Sequence, residues 1–306
     1  MMWSILPILM LFVLGFLLQR SGSFSASAIA GIKRVVSDLA LPALMFQAFS
    51  TVEIEGRYLL LVATIFLLCL VMLLLGKALA KPLGISSPYF PLMMGGFEMG
   101  MLGYALFISV YGSENIGKLA LVDMGQVVFV FFVLIAFLIK ERDGVHNRAV
   151  LLRQFITSPV IIAIFLGIAV SLFGKNVEPN PLLGAIGEFI ALLANLTVPL
   201  IAISIGYGIH FRKEGLALAL KTILARRVLL LLFALAINHW LVGGLLGMPS
   251  IYRYAVLVMC LTPPPFIITI FMKAGDKANA DYVDSTLSMD TLASILLVMA
   301  ATAIYV

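Results

Sequence analysis

Apolar residues form long runs that are separated by short polar segments along the whole chain. Most of these runs reach the roughly 20 residues that a helix needs to cross the hydrocarbon core of a bilayer. The pattern predicts an all-α membrane protein with ten transmembrane helices, numbered here as spans one to ten. The predicted spans cover residues 3–19, 34–50, 58–80, 88–111, 117–139, 151–173, 183–209, 217–246, 253–272 and 282–305.

The composition agrees with this pattern. Of the 306 residues, 62% are hydrophobic and 11% are charged, which is too apolar for a soluble domain. Cys69 and Cys260 are isolated from each other in the sequence, and both lie inside apolar runs. We therefore expect them to be buried hydrophobic side chains, with no disulfide and no metal site.

The basic residues are distributed unevenly between the loops. The loops after even-numbered spans hold only Arg57, Lys118, Lys175 and Arg253 of the 20 Lys and Arg. The basic run from His210 to Arg227 is predicted to be a cytoplasmic loop. By the positive-inside rule, both termini then face outward. The net charge of +5 is thus explained by orientation, and no nucleic acid partner is expected. Because Arg20 follows the first apolar run, we expect a retained helix, not a cleaved signal peptide.

Span four contains a carboxylate among several glycines. Glu98 lies within an apolar run, close to Gly95, Gly96, Gly100 and Gly103. Each glycine weakens a helix by about 1 kcal/mol relative to alanine, so the helix is predicted to break here. A carboxylate inside the membrane is costly and usually faces a cavity with a functional role. Glu98 is therefore our first candidate for a functional residue.

Span nine is interrupted by three consecutive prolines. Thr262 is followed by Pro263, Pro264 and Pro265, which have no N–H group to donate and so break the helical ladder. Interrupted spans at corresponding places in two chain halves indicate the substrate site of a secondary transporter. We predict that spans four and nine cross near the middle of the membrane and form this site.

The two chain halves share the same order of features. Spans one and six share a proline and glycine spacing, spans two and seven share a polar residue one turn before a proline, and spans five and ten each carry an aspartate. The corresponding residues are Pro7 and Gly15 with Pro159 and Gly167, Asp38 and Pro42 with Asn195 and Pro199, and Asp123 with Asp290. Five spans per half is an odd number, so we predict inverted repeats at residues 1–143 and 144–306.

The ends of broken helices suit charged ligands. Their N-terminal ends favour a carboxylate, and their C-terminal ends and freed carbonyls favour a cation. A carboxylate removed from water takes up a proton more readily. The predicted coupling-ion residues are Glu98, Asp123, Ser288 and Asp290. The predicted substrate-binding residues are Gly95, Gly96, Glu98, Gly100, Gln126, Asn195, Thr262, Pro263, Pro264 and Pro265.

Some of these residues also have a purely structural explanation. Gly96 and Gly100 match a small-residue motif for close helix packing, and Asn195 could link two helices by a hydrogen bond. Asp123 lies near the outer boundary and could cap a neighbouring helix. Asp38 lies beside basic residues and is expected to form an interfacial ion pair.

These features predict a secondary transporter of small organic anions that is coupled to H⁺ or Na⁺ or works as a uniporter, with no other cofactor. A channel is an alternative, because broken helices also build pores. An intramembrane enzyme is a weaker alternative. The sequence has neither a His-Glu-x-x-His motif nor a Walker A motif, so neither a zinc protease nor a nucleotide-driven pump is expected.

Over essentially its whole length the chain resembles the auxin efflux carrier family, whose bacterial members include malate and malonate carriers. The resemblance is clearest at span four, at the prolines of span nine and at residues 285–294 of span ten. Family members often carry the pattern Asn-x-Gly-Phe-x-Gly-x-Pro in span four. This chain keeps the glycines and has Glu98 and Ala105 in place of the asparagine and the proline.

The resemblance implies a fold similar to that of the bile-acid–sodium symporters. In that fold, spans four and nine unwind and cross, and a core of spans 3–5 and 8–10 moves against a panel of spans 1, 2, 6 and 7. The resemblance also implies elevator-type alternating access in a bacterial inner membrane, and it allows a homodimer through the panel helices.

Overall fold

The computed structural model describes residues 2–51, 56–143, 153, 156–173, 181–208, 215–273 and 275–305. These residues form helices and connecting turns, with no β-strand among them. The helices are α1 (Met2–Ser21), α2 (Ala26–Val35), α3 (Leu41–Ser50), α4 (Gly56–Leu83), α5 (Tyr89–Met94), α6 (Tyr104–Tyr111), α7 (Ile116–Phe129), α8 (Ile135–Asp143), α9 (Pro159–Phe173), α10 (Pro181–Asn195), α11 (Thr197–Gly208), α12 (Leu216–Ala236), α13 (Ser250–Cys260), α14 (Ile267–Ile270) and α15 (Lys277–Tyr305). The all-α prediction is confirmed for this part of the chain.

Several helical stretches are long enough to cross a membrane. π-helical turns lengthen two of them, because Val130–Leu134 joins α7 to α8 and Ile237–Leu245 extends α12. Among the described residues, five stretches are both long and apolar enough: Gly56–Leu83, Ser113–Arg142, Pro181–Gly208, Leu216–Leu245 and Lys277–Ala301. Shorter apolar helices lie at Leu6–Ser21, Met99–Tyr111, Pro159–Phe173 and Ser250–Cys260. The count of ten spans and the inverted repeats stay predictions.

The largest differences from the hydropathy prediction in where a helix begins include α2 and α15. Span two is predicted at 34–50, yet α2 begins at Ala26, where the hydroxyl of Ser25 accepts a hydrogen bond from the Ala28 amide at 3.1 Å. Span ten is predicted at 282–305, yet α15 begins at Lys277. Hydropathy marks only the apolar part of a helix, whereas N-terminal capping stabilises helical turns made of polar residues.

The helices group into two compact units. Unit 1 comprises Met1–Glu55, Gly100–Ala120 and Arg153–Ile209. Within it, α1 packs on α11 and α9 packs on α3. A Cβ atom on Gly15 would lie 2.1 Å from the Ile203 carbonyl oxygen, and one on Gly167 would lie 2.8 Å from the Phe46 carbonyl oxygen. Glycine thus lets the helix backbones of unit 1 touch directly.

Unit 2 comprises Gly56–Met99, Leu121–Leu152 and His210–Val306. Within it, α4 packs on α5, and α12 packs on both α13 and α15. Close helix contacts again occur at glycine, since a Cβ atom on Gly125 would lie 2.2 Å from the Val62 carbonyl oxygen. Both interruptions predicted from the sequence fall in this unit.

The outer face of α4 is apolar. Leu60, Leu67, Val71 and Leu74 are all exposed, and their spacing puts them on one side of the helix. A soluble monomer rarely exposes a patch of this kind. Hydrocarbon chains of a bilayer provide the surroundings that such side chains require, so the chain is an integral membrane protein.

Candidate functional site

The first interruption follows α5, which ends at Met94. Gly95 is extended, with φ −91° and ψ 145°, and Gly96 has φ +79°. Helical backbone resumes in the π-helical turn Met99–Gly103. A Cβ atom on Gly96 would lie 2.9 Å from Pro265 Cγ, and its positive φ also disfavours other residues. Glycine is therefore required at this position for two separate reasons.

The second interruption separates α13 from α14. Residues 261–266 between these helices are not helical, as the three prolines predict. The hydroxyl of Thr262 donates to the Met259 carbonyl oxygen at 2.7 Å. It thereby satisfies one of the carbonyls that the end of α13 leaves without an intrahelical partner.

The two interruptions meet at Glu98. The Glu98 amide donates to the Pro263 carbonyl oxygen at 2.9 Å, and its carboxylate Oε2 accepts from the Phe266 amide at 2.6 Å. Glu98 is buried, with 7% of its surface exposed. The amide of the preceding residue, Phe97, donates to Gln126 Oε1 at 3.4 Å. Five of the predicted positions thus lie together, namely Gly96, Glu98, Gln126, Pro263 and Pro265.

Arg226 of α12 donates hydrogen bonds to backbone carbonyl oxygens at both interruptions. Its Nε donates to Met93 O at 3.1 Å, its Nη2 to Gly96 O at 2.7 Å and its Nη1 to Thr262 O at 2.7 Å. The side chain is fully buried, and the Phe97 ring centre is 5.4 Å from the guanidinium carbon. A helix C-terminus carries partial negative charge, so a guanidinium placed there is stabilised electrostatically.

Asp290 of α15 pairs with the next arginine of α12. Arg227 donates to Asp290 Oδ1 through Nη2 at 2.6 Å and through Nε at 2.8 Å, and it also donates to Ser294 Oγ. Asp290 Oδ2 is 3.7 Å from Arg226 Nη1. Asp290 is fully buried, so it serves as the carboxylate of a network with two arginines. Its role in ion coupling stays a prediction.

The remaining predicted residues lie in different places. Asp123 is buried on α7, three residues before Gln126 and therefore on the same helix face. Ser288 is half-buried. It lies two residues before Asp290, so the two side chains point to different sides of α15. Asn195 ends α10 in unit 1 and is exposed, and Gly100 is the residue at which the chain returns to unit 1. As expected, Asp38 forms an exposed ion pair, with Arg34 at 3.2 Å.

The sequence interpretation of the basic run was wrong at its C-terminal end. Arg226 and Arg227 are buried in helix α12 and do not lie in a loop. Residues 210–214 of this run lie outside the described residues. The signal was present, since both arginines fall well inside the predicted span 217–246. A charged residue inside a span is a candidate functional residue by default.

Cys69 and Cys260 are buried free thiols, so their predicted burial is confirmed. Within the described residues, no three His, Cys, Asp or Glu side chains are arranged to hold a metal ion.

Comparison with known proteins identifies the family of this chain. Residues 1–301 match the family described as "Membrane transport protein". The chain is also similar to an "Uncharacterized transporter" of Methanothermobacter thermautotrophicus, with 23% identity over 300 residues that cover 96% of this chain and 94% of that relative. The match to the family covers nearly the whole chain. The chain belongs to the membrane transport protein family, the family of the auxin efflux carriers.

Proposed function

We propose that the protein is a secondary active transporter of small organic anions, such as auxin-like acids or mono- and dicarboxylates. The substrate binds beside the crossing of the two interruptions. The observation that carries this proposal is the buried guanidinium of Arg226, which is held by carbonyls from both interruptions. In surroundings of low dielectric constant, a fixed positive charge attracts an anion much more strongly than it does in water.

The ionisable groups of unit 2 suggest how proton uptake would assist the binding of an anion. Arg226 and Arg227 provide two positive charges against the carboxylates of Asp290, Glu98 and Asp123, all of them buried. A net charge is costly to bury. When Glu98 or Asp123 takes up a proton, one negative charge is removed, and a substrate carboxylate can replace it at little electrostatic cost. A proton and an anion would then move together.

The packing within unit 1 supports the inverted repeat at residues 1–143 and 144–306. Gly15 of span one packs on Ile203 of span seven, and Gly167 of span six packs on Phe46 of span two. Under a repeat that relates span one to six and span two to seven, each of these contacts is the counterpart of the other. We infer ten spans with both termini outside, in a bacterial inner membrane.

The grouping of helices supports elevator-type alternating access. Unit 2 holds α4, α5, most of span five and the helices from α12 to α15, whereas unit 1 holds the helices of spans one, two, six and seven. Both interruptions and both arginines therefore belong to unit 2, which we assign as the moving core. Unit 1 is assigned as the panel, with the second half of span four attached to it.

Transport by reconstituted protein tests this function. Purified protein in proteoliposomes is given radiolabelled malate, malonate or indole acetate in turn, with a pH gradient, a Na⁺ gradient or neither. We expect saturable uptake of at least one acid, and accumulation above the outside concentration when a gradient drives it. A flux that never saturates and only dissipates the gradient would identify a channel. Uptake of none of these acids, with no thermal stabilisation by them, would contradict the proposal.

A further inference from the structure

The carbonyl groups freed at the crossing have a resident partner. Met93 O and Gly96 O come from the first interruption and Thr262 O from the second, and all three accept hydrogen bonds from the single guanidinium of Arg226. Arg226 has no exposed surface. The three oxygens converge on one positive charge, as the ligands of a bound cation would.

In transporters with broken helices, unwound carbonyls and the C-terminal ends of half-helices are the groups that coordinate Na⁺. We propose that Arg226 is a built-in cation that takes the place of a coupling Na⁺ ion at the crossing, so that this protein binds no Na⁺ there and its transport is independent of Na⁺. This inference rests on the proposed function and narrows its choice of coupling ion.

The geometry leaves no role for an additional cation at these oxygens. The guanidinium nitrogens are 2.7 to 3.1 Å from the oxygens, so an ion that used the same ligands would first have to displace the side chain. Displacement is opposed by Asp290, whose Oδ2 is 3.7 Å from Arg226 Nη1. It is opposed also by the Phe97 ring, which lies against the guanidinium.

Arg226 is also fixed relative to its acceptors. The arginine, the three carbonyls and Asp290 all belong to unit 2. A movement of unit 2 as one body therefore keeps these hydrogen bonds, and the positive charge stays at the crossing throughout the cycle. A Na⁺ ion, by contrast, would have to enter and leave in each cycle.

Sodium binding to the purified protein tests this inference and needs no substrate. Radioactive Na⁺ binding and the melting temperature are measured in NaCl and in choline chloride of equal ionic strength. For the wild-type protein we expect no saturable Na⁺ binding and the same melting temperature in both salts. In Arg226→Ala, which empties the carbonyl cluster, we expect the melting temperature to rise by more than about 2 °C with Na⁺ or with a low concentration of guanidinium ion.

Two further variants complete the experiment. Arg226→Lys keeps a charge at the crossing and should remain insensitive to Na⁺, which preserves the test if the alanine variant does not fold. Arg253→Ala removes an exposed arginine of the same unit and should behave as the wild type. Saturable Na⁺ binding by the wild-type protein would overturn the inference, as would a folded Arg226→Ala variant that responds to neither cation. Because no transport is measured, these outcomes are separate from a failure of the proposed function.

Discussion

Replacing Asp290 by alanine should destabilise the protein strongly, because it leaves two buried guanidinium groups without their carboxylate. Asp290 Oδ1 is 2.6 Å from Arg227 Nη2, and its Oδ2 is 3.7 Å from Arg226 Nη1. The side chains of Asp290 and Arg226 are 0% exposed and that of Arg227 is 8% exposed, so water cannot replace the lost partner.

The expected loss follows from this burial. Removing one partner of a buried ion pair costs about 3 to 5 kcal/mol, since the remaining charge stays in surroundings of low dielectric constant. At about 2 °C per kcal/mol for a chain of this size, the melting temperature should fall by about 6 to 10 °C. Asp290→Asn keeps an oxygen that accepts from Arg227 and should lose less.

A matched control is available in unit 1. Asp38 pairs with Arg34 at 3.2 Å, but these side chains are 47% and 84% exposed. An exposed pair contributes about 0 to 1 kcal/mol, so Asp38→Ala should lower the melting temperature by about 2 °C at most. Unfolding can be followed with a thiol-reactive dye, because Cys69 and Cys260 are both buried free thiols that react only once the fold opens.

Equal melting temperatures for Asp290→Ala and Asp38→Ala would refute this reasoning. That result would mean that Arg226 and Arg227 do not depend on the Asp290 carboxylate for their burial. If instead Asp290→Asn folds normally but loses gradient-driven uptake, Asp290 acts in coupling as well as in packing.

Other substitutions test the contact between the two interruptions. Glu98→Gln should keep the melting temperature within about 2 °C while abolishing uptake driven by a pH gradient, because the side-chain amide still accepts from a backbone N–H but cannot titrate. Glu114→Gln, at an exposed carboxylate, is the control. Uptake by Glu98→Gln that keeps its wild-type pH dependence would contradict the role of Glu98. Gly96→Ala should cost more than the roughly 1 to 2 kcal/mol of a left-handed backbone, because its Cβ atom would also lie 2.9 Å from Pro265 Cγ. Gly84 has φ +66° with open space around it, so Gly84→Ala measures the backbone contribution alone in a denaturant titration. Equal losses of unfolding free energy at Gly84 and Gly96 would argue against a close approach of Gly96 to Pro265.

The interruptions could be predicted from the sequence because their causes are local. Three prolines in a row remove three backbone donors whatever surrounds them. The glycines around Glu98 likewise weaken a helix wherever they occur. The structure places Glu98 against Pro263 and Phe266, as expected if interrupted spans of the two chain halves lie together, whereas the inverted repeats themselves stay a prediction.

The partners of the freed carbonyls could not be predicted in the same way. A count of basic residues by loop treats every arginine near a span boundary as an orientation signal, so it placed Arg226 and Arg227 outside the membrane. The acceptors of Arg226 are the backbone oxygens of Met93, Gly96 and Thr262. Every residue has a backbone oxygen, so the residue types do not show which of them accept. In the structure Thr222, Arg226 and Leu230 share one buried face of α12, so Arg226 points inward.

The location of the charges constrains any transport cycle. Breaking the Arg227–Asp290 pair in each cycle would cost several kcal/mol. The proposed movement of unit 2 as one body would avoid this cost, because the arginines, Asp290 and both interruptions all belong to that unit. Of the buried acidic groups, Glu98 is held by a backbone amide of the crossing, whereas Asp290 is fixed by a permanent cation. Of these two carboxylates, Glu98 is therefore the one expected to load and release a proton in the proposed cycle.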